Sequence, residues 1–523
     1  MEGMTDFDAI VVGAGHNGLV CAAYLAKSGL RTLLLEARDS VGGCASSEQF
    51  AGATVNICNC DHLTFRTTPV IEELGLAQHG LRYVEVDPGQ LSIPWPASDG
   101  TTQPAWPVFH DVDRTVDALR LLYPRQADAF RRYANEAVPA LQLILEAAGE
   151  PPSARRLISL GARRSRAAAT LLRWSRLSAG DVLRTFFDDE AILGPALATG
   201  PVVWGVSPLL PRTGLGALSL AMRHAARIGR PVGGSGMVPA TLHRAFEAAG
   251  GVTRTSSRVT AILCDPRRVR AVQLEDGTII EAGTVVSACD PHATFLSWLR
   301  GAPRAAESMV ERWRAIPRHQ GYESKIDAVV TSLPRYRSVD PDIAARLGYD
   351  ALAPSAMIAP PVDELHRGNA RSAVGRVMER PVFFANLPTI LDPSMAPSGT
   401  HVFSLEVLFT PYHLQGGWDG SPEPRRWLEA YSSLVEPGFL DGVRDWRAMT
   451  PNRYESEFNM PLGHATGFAG GPLAALRNQN PELTRYETAV PGLYLTGAAT
   501  FPGAGVWGAS GRNCARVITD GRR

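Results

Sequence analysis

The sequence predicts an α/β fold built as two interwoven lobes, and three observations carry that expectation. A short apolar strand runs straight into a glycine-rich turn and a helix near the N-terminus. A second strand follows and closes on an acidic residue. A strand, a glycine-rich loop and a helix return near the far end of the chain, where they would complete the first lobe.

The elements follow in order. Asp8–Val12 (DAIVV) reads as a buried strand. From Gly15 to Ser28 the apolar residues Leu19, Val20, Ala23, Leu25 and Ala26 recur at helical spacing, and Gly29 stands where a C-cap glycine belongs. Thr32–Glu36 (TLLLE) is the second strand, so a βαβ unit fits within about 30 residues. The stretch 70–225 is rich in helix formers and broken by prolines, as an inserted, mostly helical region would be. Gly233–Gly236 leads into a helix near 239–249, followed by strand-like runs at 253–255, 259–264, 269–275 and 278–280 and a buried strand at 285–288. From 300 to 454 the pattern is mixed, with alternating runs at 325–330 and 401–408. The Pro/Gly-rich patches at 87–107 and 359–400 read as loops. The tail offers a strand at 492–495, a glycine-rich loop from 497 to 511 and a helix to 518.

Bulk properties narrow the function class. A chain of 523 residues exceeds one compact core and suits two lobes. Lys+Arg and Asp+Glu both number 52, so the formal net charge is zero and nothing points to nucleic acid. The 7 cysteines (at 21, 44, 58, 60, 264, 289 and 514) are odd in number and unpatterned, which argues for a reducing compartment over a disulfide framework. Met1–Phe7 lacks the character of a signal peptide, and no run of about 18 apolar residues appears. A cytoplasmic location is the expectation, with peripheral membrane contact as an addition. Of the 52 basic residues only Lys27 and Lys325 are lysines.

Gly13-Ala14-Gly15-His16-Asn17-Gly18 is G-x-G-x-x-G, set between strand and helix as the motif requires. The first glycine permits the tight turn, the second lets backbone approach a pyrophosphate, and the third lets helix and strand pack closely. The helix N-terminus then offers free N–H groups and a positive dipole end. Glu36 lies 18 residues beyond Gly18, near the spacing of a ribose-binding carboxylate. Glu36-Ala37-Arg38-Asp39-Ser40-Val41-Gly42-Gly43 resembles the E-A-x-x-x-x-G-G extension of FAD proteins of the glutathione-reductase structural class, which favours FAD over NAD. Cys44 stands where many relatives carry arginine.

On these residues the chain is identified as similar to the phytoene desaturase (carotenoid dehydrogenase)-like flavoproteins, distantly related to the flavin monoamine oxidases. Two further segments support the resemblance. Gly233–Pro291 matches the family's second FAD stretch, with Val259 where members contact adenine through a backbone group. Pro491–Asn513 (PGLYLTGAATFPGAGVWGASGRN) matches its C-terminal flavin signature, with Phe501 in place of the usual histidine. The resemblance implies that Gly497 and Ala498 meet the ribityl or phosphate region, that Gly505 and Val506 run beside the isoalloxazine, and that the following helix points its N-terminus at the ring, where reduced flavin carries negative charge.

For chemistry, Lys325 is the first candidate. Its place resembles that of the lysine which holds a water near flavin N5 in amine oxidases, and a buried lysine can release a proton where arginine cannot. The alternative is a surface or ion-paired lysine on an edge strand. Cys58, Cys60 and His62 are candidates for lining the pocket; C-x-C-x-H is too cramped for a complete metal set, and no metal site is expected. The arginine-rich amphipathic stretch 155–184 is either a solvated face over a core stripe or a membrane contact.

The sequence thus predicts an FAD-binding Rossmann-type lobe (8–68, 226–298 and 455–523) interwoven with a substrate lobe (69–225 and 299–454) of mixed sheet and helical cap, with an apolar cavity between them. The expected function is an FAD-dependent dehydrogenase, desaturase or oxidase. It would take a hydride from a mainly hydrophobic organic substrate and pass electrons to dioxygen or a quinone. The alternatives are an amine or amino-acid oxidase, a lipid escort of the GDP-dissociation-inhibitor type, and redox-neutral isomerisation on reduced flavin.

Overall fold

The computed structural model describes residues 7–58, 61–97, 99–467, 474, 476 and 480–522. Its first sheet has five strands in the order Leu493–Leu495, Val285–Ser287, Ala9–Val12, Thr32–Leu35, Val252–Arg254, all parallel. The three central strands are apolar and buried on both faces, as a parallel sheet covered on both sides demands, while the edge strand Val252–Arg254 is exposed. Ala9, Val11, Leu34 and Val286 pack against the helices His16–Lys27, Met237–Ala248 and Ala509–Asp520. Ile10, Val12, Leu33, Leu35 and Val285 pack against a four-stranded sheet that contains Val259–Cys264 and Val269–Leu274. The helix predicted over 15–28 spans His16–Lys27 and ends at Gly29, whose φ of +92° is the left-handed conformation a glycine reaches without strain.

The second large sheet has seven strands in the order Val443–Met449, Glu323–Val330, His401–Leu408, Phe383–Asn386, Ala356–Ala359, Gln90–Pro94, Trp106–Val108. One face is apolar: Ile326, Ala328, Phe403, Leu405 and Val407 bury against Trp427, Leu428 and Tyr431 of the helix Glu423–Ser432. On the opposite face Glu323, Lys325 and Asp327 stand beside Ser404 and Glu406, with Lys325 directly across from Glu406 and Asp327 from Ser404. The helical insertion runs from Val112–Leu122 and Pro124–Ala148 to Glu190–Ala198, around a core that includes Phe130, Tyr133, Trp174 and Phe187.

Two stretches read as loops turn out otherwise. Residues 87–107 carry the strand Gln90–Pro94 and the start of Trp106–Val108; residues 359–400 carry the helix Val362–Ala373 and the strand Phe383–Asn386. Pro94 ends its strand and Pro107 sits in the edge strand, so neither breaks an interior ladder. These strands are buried along their whole length, which removes the polar–apolar alternation that would reveal them.

The C-terminal helix lies close against the first one. A Cβ placed on Gly511 would come within 2.2 Å of the Asn17 carbonyl oxygen. Gly511→Ala is therefore expected to lower stability by about 1–3 kcal/mol through overpacking, read as a reduced urea midpoint with an unchanged m-value.

Candidate functional site

The site starts at the first turn. Gly13 has φ +96° and donates its N–H to the Leu35 carbonyl at 2.8 Å. A Cβ on Gly18 would fall 1.9 Å from the Gly13 carbonyl oxygen, whereas one on Gly15 would meet nothing within 4 Å. Open space thus lies at the N-terminal end of His16–Lys27, where unpaired N–H groups gather. Glu36 is buried. Its Oε2 accepts from the Ala14 N–H at 2.8 Å and its Oε1 from the Arg38 N–H at 2.9 Å, which leaves lone pairs for ribose hydroxyls. Gly42 donates its N–H to Ala14 O at 2.8 Å, and a Cβ on Gly43 would lie 3.3 Å from Gly15 Cα, so the paired glycines run against the turn. Ala37 and Cys44 are half-buried on either side of this loop. Ser256 and Ser257 donate to the carbonyls of Arg38 and Glu36 at 2.7 and 2.8 Å, which brings the buried start of the Val259 strand beside the Glu36 end of the turn.

The C-terminal segment meets this turn from across the fold. Gly497 donates its N–H to Ser510 Oγ at 2.9 Å, pinning the strand end to the start of Ala509–Asp520, with Ala498 half-buried beside it. Gly505 hydrogen-bonds to His16 through its backbone, Val506 O accepts from Thr64 Oγ1 at 2.9 Å, and Gly511 N–H reaches Asn17 Oδ1 at 3.4 Å. These residues fit FAD. The helix end at Gly15 is open to a phosphate, and Glu36 suits a ribose.

A seam formed by Asn56–Cys58 with Asp61 and His62 joins this region to the polar face of the seven-stranded sheet. Lys325 is fully buried on the second strand of that sheet, not on an edge. Its ammonium pairs with Asp327 and donates to the Asn56 carbonyl at 2.5 Å. Tyr454 donates to Ile57 O at 3.1 Å. Asp61 binds Arg230 at 2.6 Å and accepts from Ser355 at 2.6 Å. His62 bridges Ser235 Oγ at 2.7 Å and Tyr83 OH at 3.1 Å. Cys58 is half-buried and hydrogen-bonds with Cys44, a contact that, with burial, holds its thiol well above its ordinary value. Cys60 lies outside the described residues.

Burial dominates the electrostatics. It pushes His16 down to about 4 and His62 down to about 3, so both are neutral imidazoles. It also raises two carboxyls: Glu323 to about 7, with Lys325, Tyr454 and Tyr322 pulling it back, and Glu406 well above its ordinary value, with Glu323 adding repulsion. Sequence reasoning singled out Lys325 but missed this pair. Its signal was present in the alternation of Glu323, Lys325 and Asp327 with Ser324, Ile326 and Ala328.

The fold and the site define a dinucleotide-binding flavoenzyme. The chain belongs to the flavin containing amine oxidoreductase family, whose model matches residues 18–318. It is an FAD-dependent oxidoreductase. Pyridine nucleotide-disulfide oxidoreductase domain-containing protein 2 of Rattus norvegicus is 28% identical, with 98% of this chain and 93% of that protein covered. A limonene dehydrogenase chain of Castellaniella defragrans is 24% identical (99% and 95% covered), and the lycopene-forming phytoene desaturase of a Paracoccus species is 26% identical (96% and 95%). Among solved structures, a putrescine oxidase variant aligns at TM-score 0.63 and 16% identity over 98% of this chain and 99% of its own. Cyclohexylamine oxidase of Brevibacterium oxydans aligns at 0.60 and 14%, covering 99% and 100%.

The buried imidazoles set a pH dependence. The folded value of His62, about 3, lies below its ordinary 6.5, so between these values the unfolded chain binds more protons. The resulting stability is intact above 6.5 and drains away as pH falls through that window. Urea midpoints should decline from neutral pH toward pH 4.5, with up to about 1.4 kcal/mol lost per pH unit for each such group. His62→Gln should flatten that decline.

Proposed function

We propose that the chain is a dehydrogenase or oxidase that passes a hydride from a mainly hydrophobic organic substrate to flavin N5, with dioxygen or a quinone as the final acceptor. The observation that carries this reading is the junction of the two glycine segments at His16 and Gly505, with Asn56 tied to the sheet face that bears Lys325. Relatives named for limonene, phytoene and prolycopene, all hydrocarbons, support the substrate class.

In this reading 8–68, 226–298 and 455–523 hold the cofactor, and 69–225 and 299–454 the substrate. Gly13–Gly18 receive the pyrophosphate, Glu36 the ribose and the Val259 backbone the adenine. Ala37, Gly42, Gly43 and Cys44 line one side of the cofactor, and Gly497, Ala498, Gly505 and Val506 the other. Bound FAD supplies a two-electron acceptor; the protein supplies orientation, exclusion of water and proton handling. Lys325 serves the reaction from the sheet side, and its cation fixes Asn56 against the site.

The test is anaerobic mixing of the yellow protein with candidate lipophilic substrates, with the band near about 450 nm bleaching on flavin reduction. Lys325→Met should retain FAD but slow bleaching at least about tenfold; an unchanged rate removes Lys325 from the chemistry.

A second reading, amine oxidation, is favoured by aromatic rings beside Glu323. Tyr322 and His464 have centroids 5.0 Å apart, and Trp204 lies 6.2 Å from Tyr322. Rings next to a carboxyl suit an organic cation. Peroxide release with a panel of amines, and none with hydrocarbons, would select it.

Localisation to the cytoplasm with peripheral membrane contact completes the proposal. Among the described residues no helix is long and apolar enough to cross a membrane. On the helical insertion Ile158 is 62% exposed and Leu172 43%, beside Arg155, Arg163 and Arg166. Sedimentation with anionic vesicles, but not with neutral ones, should follow, and Ile158→Asp with Leu172→Asp should abolish it.

A further inference from the structure

The strongest unassigned feature is the pair of acids on the polar face of the seven-stranded sheet. Glu323 and Glu406 belong to adjacent antiparallel strands, and Glu406 stands directly opposite Lys325, two residues from Glu323 on the same face. That register would normally neutralise Glu406. Here the lysine is diverted: its ammonium is taken by Asp327 and by the Asn56 carbonyl. Glu406 is 4% exposed, and its Oε1 has no hydrogen-bond partner among the described residues. A buried carboxylate with an oxygen left unpartnered is expensive, and two buried carboxylates that repel each other disfavour double ionisation.

We propose that Glu323 and Glu406 form a carboxyl pair that holds one proton between them and takes up the proton a substrate sheds as its hydride leaves for the flavin. The inference rests on the hydride-transfer reading above. Removal of a hydride from one substrate atom leaves a cationic centre. The neighbouring X–H bond then breaks, its electron pair becomes the new π bond, and its proton forms an O–H bond on the ionised carboxylate. The pair passes from one proton to two, and its single negative charge is lost. A base is needed in the same way whether X is carbon, oxygen or nitrogen.

The surroundings fit that duty. On the sheet, Lys325 lowers both acids, whereas Asp327 raises Glu406. Tyr322 and Tyr454, from the strand start and the helix Pro451–Phe458, act on Glu323 through hydrogen bonds. From the seam, Asp61 raises Glu406, and the thiols of Cys58 and Cys44 face the same cluster. Burial is the largest cause for each acid, raising Glu323 to about 7 and Glu406 well above its ordinary value. Glu323, whose anion Tyr454 and Tyr322 hydrogen-bond, is the acceptor, and Glu406, whose Oε1 has no partner among the described residues, holds the resident proton.

Infrared titration of the FAD-loaded protein tests the pair without turnover. At about pH 8, where an ordinary glutamate is ionised, one deuterium-sensitive protonated-carboxyl band should remain, and Glu406→Gln should remove it. A second band should grow in with a midpoint near 7 and be absent in Glu323→Gln. In anaerobic flavin reduction, Glu323→Gln should lose the acid limb of the pH profile and slow at least about tenfold with its visible flavin spectrum retained, and Glu323→Asp should restore the limb. The proposal is overturned if no carboxyl band survives at about pH 8 in the wild type, or if Glu323→Gln is reduced at the wild-type rate with an unchanged profile. Should both bands behave as described while no substrate bleaches the flavin, the carboxyl pair stands and the hydride reading falls.

Discussion

Backbone meeting backbone at the crossing of two helices is the constraint on which the rest of this structure depends. His16–Lys27 and Ala509–Asp520 approach so closely that a Cβ on Gly511 would lie 2.2 Å from the Asn17 carbonyl oxygen, while one on Gly18 would lie 1.9 Å from the Gly13 carbonyl oxygen in the turn. A side chain at Gly511 would force the two helices apart, and one at Gly18 would push the first helix off its turn. The Gly505–Val506 loop would then lose its hydrogen bonds to His16 and Thr64. That closeness brings the glycine turn at Gly13–Gly18 and the loop at Gly505–Val506, from opposite ends of the chain, against each other.

The second organising feature is the seam of Asn56–Cys58 with Asp61 and His62. Ile57 packs it against Met449, Tyr454 and Phe458, and hydrogen bonds tie it on both sides: to Ser235 and Tyr83 through His62, to Ser355 and Arg230 through Asp61, and to Lys325 through the Asn56 carbonyl. Buried charges without such ties would be costly. Removing one tie leaves a buried partner unsatisfied, so the seam holds the glycine-turn region against the seven-stranded sheet. Glu406 Oε1, on the residue opposite Lys325, is what this arrangement leaves without a partner among the described residues.

Legibility in the sequence follows the range of the interactions. The glycine turn, Glu36 and the Gly42-Gly43 pair could be read because each need is local: a left-handed φ, a close approach, a carboxylate at a fixed spacing. Lys325 stood out by rarity, but its partners Asp327 and Asn56 could not be assigned, since Asn56 lies 269 residues away in sequence. The strands at Gln90–Pro94 and Trp106–Val108 were hidden because their pairing with Ala356–Ala359 is distant and their burial is two-sided. Prolines that usually signal loops here occupy a strand end and an edge.

What the sequence by itself determined is the class of fold and cofactor: backbone-directed recognition needs glycines at set spacings, and spacing is written along the chain. Only the tertiary structure decided which charged groups face each other and which go unpaired. Whether Lys325 neutralises Glu406 or Asp327 depends on strand register and on the path of Asn56 across the sheet. Burial then sets the protonation of Glu323, Glu406, His16 and His62, because the free energy of a charge depends on the solvent it loses, and no local pattern specifies that.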